Sequence, residues 1–324
     1  MLRRLGTMLA VLVVVAAINF FLFQVLPFYV LHINPEQWFV PLPSGSVHNV
    51  AYIEKVRAQV IAAMGFDFLV YLRSMFTFNF VYNVGGALSG PVATTIERFA
   101  PYTILLLGSS TVASYLIGIY LGVVSAAKRG QLVDVASFTT LLFLYAMPSY
   151  WIGTLLLVFF AFSLKLFPID AEAYFSSFHG IAFVGALLKS MVLPFSSLLL
   201  ISIGGVYLIM RSTTIDVMSE DYIMMARAKG LSNSTILYKH ALRNAILPII
   251  TLFALSMGFI LSGAVITETI FSWPGLGYWT FVAIETLDFP LEQAIFFVIS
   301  IMVVAANFIA DLLYGFLDPR IRAG

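Results

Sequence analysis

The side chains that perform most protein chemistry are few and scattered in this sequence. Its four histidines, His32, His48, His179 and His240, stand in separate segments, and cysteine is absent. Zinc and catalytic-histidine sites need clustered ligands, and thiolate, disulfide or iron–sulfur chemistry needs cysteine, so none of these is expected and no metal ligand is assigned. A phosphate cradle of the G-x-x-x-x-G-K-[ST] type is excluded because the dipeptide Gly-Lys does not occur. Gly275 and Gly277 begin a G-x-G-x-x-G-like run, but Thr280 replaces the third glycine and Trp273 and Pro274 precede it, so that match is discarded. Carriers coupled to protons or ions place ionisable groups at membrane depth. The groups considered for that role are Glu268 and Asp311, both close to the ends of apolar runs. Glu268 has two readings, contact with a solute in transit or a bond to a neighbouring helix, and the second is favoured. With no Ser/His, paired-Asp or metal constellation inside the apolar runs, no catalytic residue is assigned.

The elements that carry these residues follow from composition. Of 324 residues, 61% are hydrophobic and 10% charged, against about 25% charged in an ordinary soluble domain, and the mean hydropathy is +0.99. So few charges cannot cover a water-soluble globule, and most of the exterior must face lipid. A net charge of +1 without a basic stripe excludes nucleic acid as a main partner. A bilayer core needs about 20 apolar residues per helix. Such runs cover about residues 5–29, 101–126, 133–164, 181–210, 246–271 and 291–317, predicting an all-α polytopic membrane protein with six transmembrane helices. The first run has Arg3 and Arg4 before it but no small-residue cleavage site at its end, so it reads as a retained anchor.

Short loops keep Lys and Arg on the cytoplasmic side. Arg3, Arg4, Lys128, Arg129, Arg211, Arg227, Lys229, Lys239, Arg243, Arg320 and Arg322 all fall on one side of a six-span chain, which places both termini in the cytoplasm. Within the spans, Ser110, Ser114, Gly118, Gly122 and Ala126 recur every four residues, a stripe that admits a close neighbour. That neighbour could belong to this chain or to a second subunit. Pro148 and Pro194 are expected to kink their spans. Outside, Ile53, Val56, Val60 and Met64 suggest a short amphipathic helix. Inside, residues 211–245 carry acids early (Asp216, Glu220, Asp221) and bases late, with Gly230 as a helix stop and Ser232 or Asn233 as the next cap, which reads as helix, turn, helix. The sequon Asn233-Ser234-Thr235 would lie inside the cell and is not expected to be glycosylated.

That inner loop runs Asp221-Tyr222-Ile223-Met224-Met225-Ala226-Arg227-Ala228-Lys229-Gly230-Leu231, then His240-Ala241-Leu242-Arg243-Asn244-Ala245, then Pro248. It resembles the coupling loop of permease subunits of binding-protein-dependent ABC importers, dipeptide and oligopeptide branch. Met224-Met225-Ala226 stands where the broader family has Glu-Ala-Ala. The resemblance extends to Lys128-Arg129-Gly130, to Thr267-Glu268-Thr269-Ile270-Phe271-Ser272-Trp273-Pro274-Gly275-Leu276-Gly277, and to Asp311-Leu312-Leu313-Tyr314-Gly315 with Asp318-Pro319-Arg320-Ile321-Arg322, covering about residue 95 to the C-terminus. Before that it is weak, and the family's G-D-F-G turn is here Phe78-Asn79-Phe80.

The resemblance implies a type I ABC importer permease fold. It divides the chain into an N-terminal helix with an extracytoplasmic segment (1–94) and a five-helix permease core (95–324) that holds the coupling loop 211–245. It implies a homologous second permease, two cytoplasmic ATPase subunits that bind the ATP and Mg, an extracytoplasmic solute-binding protein, and a surrounding lipid bilayer in the cell membrane; this chain itself binds no cofactor. Tyr222, Ala226, Arg227, Ala228, Lys229, Gly230, His240, Arg243, Asn244 and Pro248 would form the ATPase-coupling loop. There the small alanines would allow close approach and the cations would supply pairing. Without the resemblance, the same cations could equally hold the loop at an anionic membrane surface. Glu268, Trp273, Pro274 and Gly275 are candidates for the translocation path or outer loop. Peptides are the expected cargo, with oligosaccharides or nickel as alternatives in the same importer class. A self-contained secondary carrier or channel is the rival from another class.

Overall fold

The computed structural model describes residues 2–26, 68–78, 82–83, 90–258, 260, 264–286 and 288–317. The expected amphipathic helix on Ile53, Val56, Val60 and Met64, the residues Asn79 and Phe80, and the terminal run from Asp318 lie outside the described residues. What is described is overwhelmingly helical, as the composition requires. The exception is a two-residue antiparallel pairing, β1 (Tyr82–Asn83) with β2 (Gly90–Pro91), in which Tyr82 stands opposite Pro91.

In chain order the helices are α1 (Leu2–Phe20, continued by a wider π turn, Phe21–Val25), α2 (Phe68–Phe76), α3 (Val92–Thr103), α4 (Ser109–Ala127), α5 (Leu132–Ala146), α6 (Ser149–Leu156), α7 (Ala171–Ser176) and α8 (Gly180–Val217). They are followed by α9 (Asp221–Ala228), α10 (Asn233–Ala245), α11 (Leu247–Gly258), α12 (Val265–Ile270), α13 (Leu276–Thr286) and α14 (Phe289–Leu317). Three stretches are each long and apolar enough to cross a membrane: Gly6–Val25, Val92–Ala127 and Gly180–Val217. Two bent pairs pass the same test when each is taken as one span, Leu132–Ala146 with Ser149–Ser163 and Asn233–Ala245 with Leu247–Met257. With the 29-residue α14, the described helices are consistent with six spans.

Three expectations are corrected. The third apolar run is not one kinked helix: α5 ends at Ala146, Pro148 adopts an extended ψ of 138°, and α6 leaves at 100° to α5. Proline disfavours the helical conformation in the residue before it, and Met147 is accordingly extended with ψ 140°. The fourth run, which holds Pro194, is the single helix α8, and it continues seven residues beyond the expected end at Met210, to Val217. The fifth run divides as well, because α11 stops at Gly258 and the separate short helix α12 carries Thr267 and Glu268.

The chain packs as two compact units. The smaller holds α1, α2, α3, α13 and the first part of α14. Its core gathers Tyr71, Phe99, Leu276, Trp279, Leu291 and Phe297, with Phe99 and Trp279 rings 4.9 Å apart. Two polar groups inside it are tied to backbone: Asn19 Nδ2 donates to the Gln293 carbonyl at 2.9 Å, and Thr103 Oγ1 accepts from the Leu276 amide at 2.7 Å. Asp288 caps α14 by accepting from the Leu291 amide at 3.1 Å.

The larger unit is organised on α8 and α4. A Cβ added at Gly118 would lie 2.8 Å from Val206 Cβ, and one at Gly122 would lie 2.8 Å from Met210 Cβ. The stripe therefore packs within the chain, which decides between the two partners the sequence left open. A second close approach had no signal in the stripe: a Cβ at Gly204 would fall 2.6 Å from Tyr145 Cβ and 2.7 Å from the Leu141 carbonyl, so α8 lies against α5 there without room for a methyl group.

Candidate functional site

The charged loop folds as the helix, turn and helix its sequence predicts. Asp221 occupies the first turn of α9 and Arg227 the last, each at the end of the helix dipole that favours its charge. At the stop, Gly230 has φ +76°, the left-handed conformation that glycine adopts without a Cβ penalty. Its amide donates to the Arg227 carbonyl at 2.9 Å, and the Leu231 amide reaches back to the Ala226 carbonyl at 3.4 Å, satisfying carbonyls that the helix end leaves open. Ser232 then caps α10, its Oγ accepting from the Thr235 amide at 3.3 Å.

Beneath the surface the two helices share a small core of Ile223, Ala226, Ile236 and Ala241, with Val217 and Met218 packed against it. Two hydrogen bonds fasten it. Asn244 Nδ2 donates to Tyr222 Oη at 2.8 Å, and Thr213 Oγ1, on α8, lies 3.0 Å from the Ala245 carbonyl, sharing its one proton with the Ile209 carbonyl of its own helix, also at 3.0 Å. The loop is thus a folded extension of α8 rather than a tether.

This packing sorts the coupling residues named from sequence. Arg227, Ala228, Lys229, Gly230, Arg243, Asn244 and Pro248 are exposed, as is Tyr222; His240 is half-buried. Ala226 is not on the exposed face: it is buried at 6% exposure in the loop's own core. The large surface side chains of α9 are instead Met224 and Met225, 60% and 66% exposed. On a two-turn helix whose Ile223 and Ala226 face inward, the residues between them must face out. The result is an adaptable apolar pair flanked by Arg227 and Lys229.

The outer candidates are buried. Glu268 is fully buried in α12 and not at the end of a long span; its carbonyl accepts the Trp273 amide at 2.8 Å. Trp273, Pro274 and Gly275 are all buried. Trp273 packs edge-on against Phe175 of α7, with centroids 6.0 Å apart. The backbone before it pairs with the same helix, through the Ala171 amide to the Phe271 carbonyl (3.1 Å) and the Glu172 amide to the Ser272 carbonyl (3.2 Å). Asp311 lies in α14.

Sequence reasoning missed an ionic centre at the base of the loop. Arg211 donates from Nε to Asp134 Oδ1 at 2.7 Å and from Nη2 to Oδ2 at 2.9 Å. Asp134 is 3% exposed and also accepts from Ser125 Oγ and from the Gly130 amide (2.9 Å). Tyr207 Oη bonds to Ser125 (2.6 Å) and Ser137 (3.1 Å), and the Arg211 guanidinium lies 5.1 Å from the Phe138 ring centroid. Four donors saturate one carboxylate, and α4, the Lys128-Arg129-Gly130 turn, α5 and α8 are thereby fixed to one another. Asp288 and Glu292, at the start of α14, are two further buried acids among the described residues.

A set of apolar helices bearing a folded, exposed, charged loop defines a polytopic membrane protein. Residues 118–323 match the family of binding-protein-dependent transport system inner membrane components, and the chain belongs to that family. It is 33% identical over 292 residues to the di/tripeptide transport system permease protein DppB of Pseudomonas aeruginosa, covering 83% of this chain and 85% of that one. It is 31% identical over 325 residues to the dipeptide transport system permease protein DppB of Bacillus subtilis, covering 99% and 97%. It is 36% identical over 234 residues to the oligopeptide transport system permease protein AppB of the same species, covering 72% of each chain.

Proposed function

We propose that this chain is one of two homologous permease subunits of an ATP-driven importer of short peptides in the cell membrane. In this reading both termini and the loop 211–245 are cytoplasmic, residues 1–94 form the N-terminal helix and extracytoplasmic segment, and residues 95–324 form the permease core. Two separate ATPase subunits bind ATP and Mg and receive α9, and an extracytoplasmic binding protein delivers the solute. Closure of the ATPases moves the loop, and the spans alternate between outward and inward access.

One observation carries the reading: the loop is folded on its own core and fastened to α8, while Met224, Met225, Arg227 and Lys229 remain on its surface. A movable element that transmits work must be rigid itself and joined rigidly to what it moves, and the loop satisfies both conditions. The peptide assignment rests on the peptide transport systems to which its relatives belong.

Tagging the chain, extracting it in mild detergent and identifying its stoichiometric companions by mass spectrometry tests the assembly. A second permease, ATPase subunits and a binding protein carrying peptide are expected; oligosaccharide or nickel on that protein would change the cargo. A lone homo-oligomer that transports without ATP would overturn the proposal. Gly230→Pro is expected to abolish ATP-coupled uptake while leaving the chain in the membrane, because proline cannot adopt φ +76°; wild-type uptake would remove the docking role of the loop.

A further inference from the structure

A recess of about 250 Å³ lies in the larger unit between α4, α8 and α11. Thr111, Ser114, Tyr115, Ser202 and Ser256 bring five hydroxyls to it, and none of its lining residues is charged. Counted along α4 and α8 at 1.5 Å per residue, Ser114 and Ser202 lie about 20 Å from the inner ends of their helices, well inside a hydrocarbon layer about 30 Å thick. At such depth a serine or threonine usually bonds to its own helix, as Ser114 Oγ does to the Thr111 carbonyl at 2.8 Å. Tyr115 Oη and Ser256 Oγ bond to each other at 2.8 Å across α4 and α11. The hydroxyls of Thr111 and Ser202 make no hydrogen bond among the described residues, and Ser202 is exposed at the rim.

The chemistry of the lining selects its occupant. A hydroxyl both donates and accepts and can turn between the two, so it matches a neutral group that does the same. An ion would find no countercharge here, and a hydrocarbon chain would leave the hydroxyls unsatisfied in an apolar setting. An amide is one neutral group that offers both a donor and an acceptor at fixed spacing, and the charged ends of a peptide would lie outside the recess. We infer that this recess is a station on the translocation path that takes the main-chain amides of a peptide in transit. Thr111 and Ser202 are the free contacts, and the Tyr115–Ser256 bond opens to admit the peptide. This inference rests on the peptide-importer reading and assigns the site within it. Since the contacts address the main chain, the station passes peptides of different sequence.

The absence of cysteine from the sequence supplies the test. Ser202→Cys and Thr111→Cys, each in the complete assembly in proteoliposomes, are treated with a charged methanethiosulfonate or a lipid-soluble maleimide, with and without dialanine under ATP turnover. Val112→Cys, on the same helix and 42% exposed, is the lipid-facing control. The charged reagent is expected to modify both recess positions but not position 112, and dialanine at ten times its Kd is expected to slow that modification about tenfold. Thr111→Val, which keeps the shape and removes the free hydroxyl, is expected to raise the KM of peptide-stimulated ATP hydrolysis about fivefold, the loss of one hydrogen bond, and this readout needs no thiol. Modification by the maleimide alone would make the recess a lipid-filled crevice. Charged modification indifferent to dialanine, or an unchanged KM in Thr111→Val, would place the recess off the path. Failure of the unsubstituted assembly to take up dialanine would instead overturn the peptide-importer reading itself.

Discussion

Asp134→Asn tests whether the ionic centre at the base of the loop holds the surrounding helices. Asparagine keeps the shape but removes the charge and turns one acceptor into a donor facing Arg211. Breaking a buried ion pair by neutralising one partner costs about 3–5 kcal/mol. The Arg211 side chain is 21% exposed and regains some solvation, which favours the lower end, about 3 kcal/mol. The remaining amide oxygen cannot serve both Ser125 and the Gly130 amide, and one lost bond adds about 1 kcal/mol. At roughly 2 °C per kcal/mol for a chain of this size, the apparent Tm of the detergent-solubilised protein is expected to fall by roughly 8 °C, read as the loss of monodisperse elution after heating. Arg211→Met alone should be comparably damaging, since it strands Asp134 at 3% exposure. The double variant should recover part of the loss, because neither charge is then left alone. A fall of less than about 2 °C in Asp134→Asn, or a double variant that equals the sum of the two singles, would refute a coupled, stabilising pair.

Gly204→Val is expected to reduce folded yield through overpacking of about 1–3 kcal/mol, since its Cβ would meet the Leu141 backbone at 2.7 Å; Gly185→Val, with nothing within 4 Å, should be tolerated in the same expression assay. Gly230→Ala also has open space around it but forces an L-residue to φ +76°, at about 1 kcal/mol, so uptake should fall only partly, against complete loss in Gly230→Pro. Met224→Glu with Met225→Glu should abolish co-purification of the ATPase subunits without lowering the Tm, because both side chains lie on the surface. Tyr222→Phe removes an exposed bond to Asn244 and should cost about 0.5 kcal/mol, within 2 °C in Tm.

The features legible in the sequence share a property: each is carried by neighbouring residues. The stripe of Gly118 and Gly122 is a four-residue repeat on one helix, so its role in close packing could be read, although its partner could not. The stop at Gly230 and the cap at Ser232 depend on a few peptide units, and they stand in the structure where their residue types put them. The break before Pro148 was marked by the proline, but its 100° angle is decided by what α5 and α6 pack against. Asp134 and Arg211 meet across 77 residues, and nothing in either neighbourhood names the other. Arg211 by itself looks like any cation at the end of a span.

The misplacement of Ala226 has the same origin and changes how the loop works. On an isolated α9, a small alanine beside the surface cation Arg227 looks like a point of close approach for a partner. Once α10 folds back over it, Ile236 and Ala241 occupy that side, and the alanine becomes the small residue that lets the loop close on itself. The surface left to a partner is then the opposite side, where Met224 and Met225 stand. Under the proposed coupling, force arriving there would pass through the shared core to α10, from Thr213 to α8, and from Arg211 on α8 to Asp134 on α5 and so to α4. Disrupting the pair should therefore reduce coupling as well as stability, with ATP hydrolysis persisting while uptake falls. A surface docking defect should instead reduce both together.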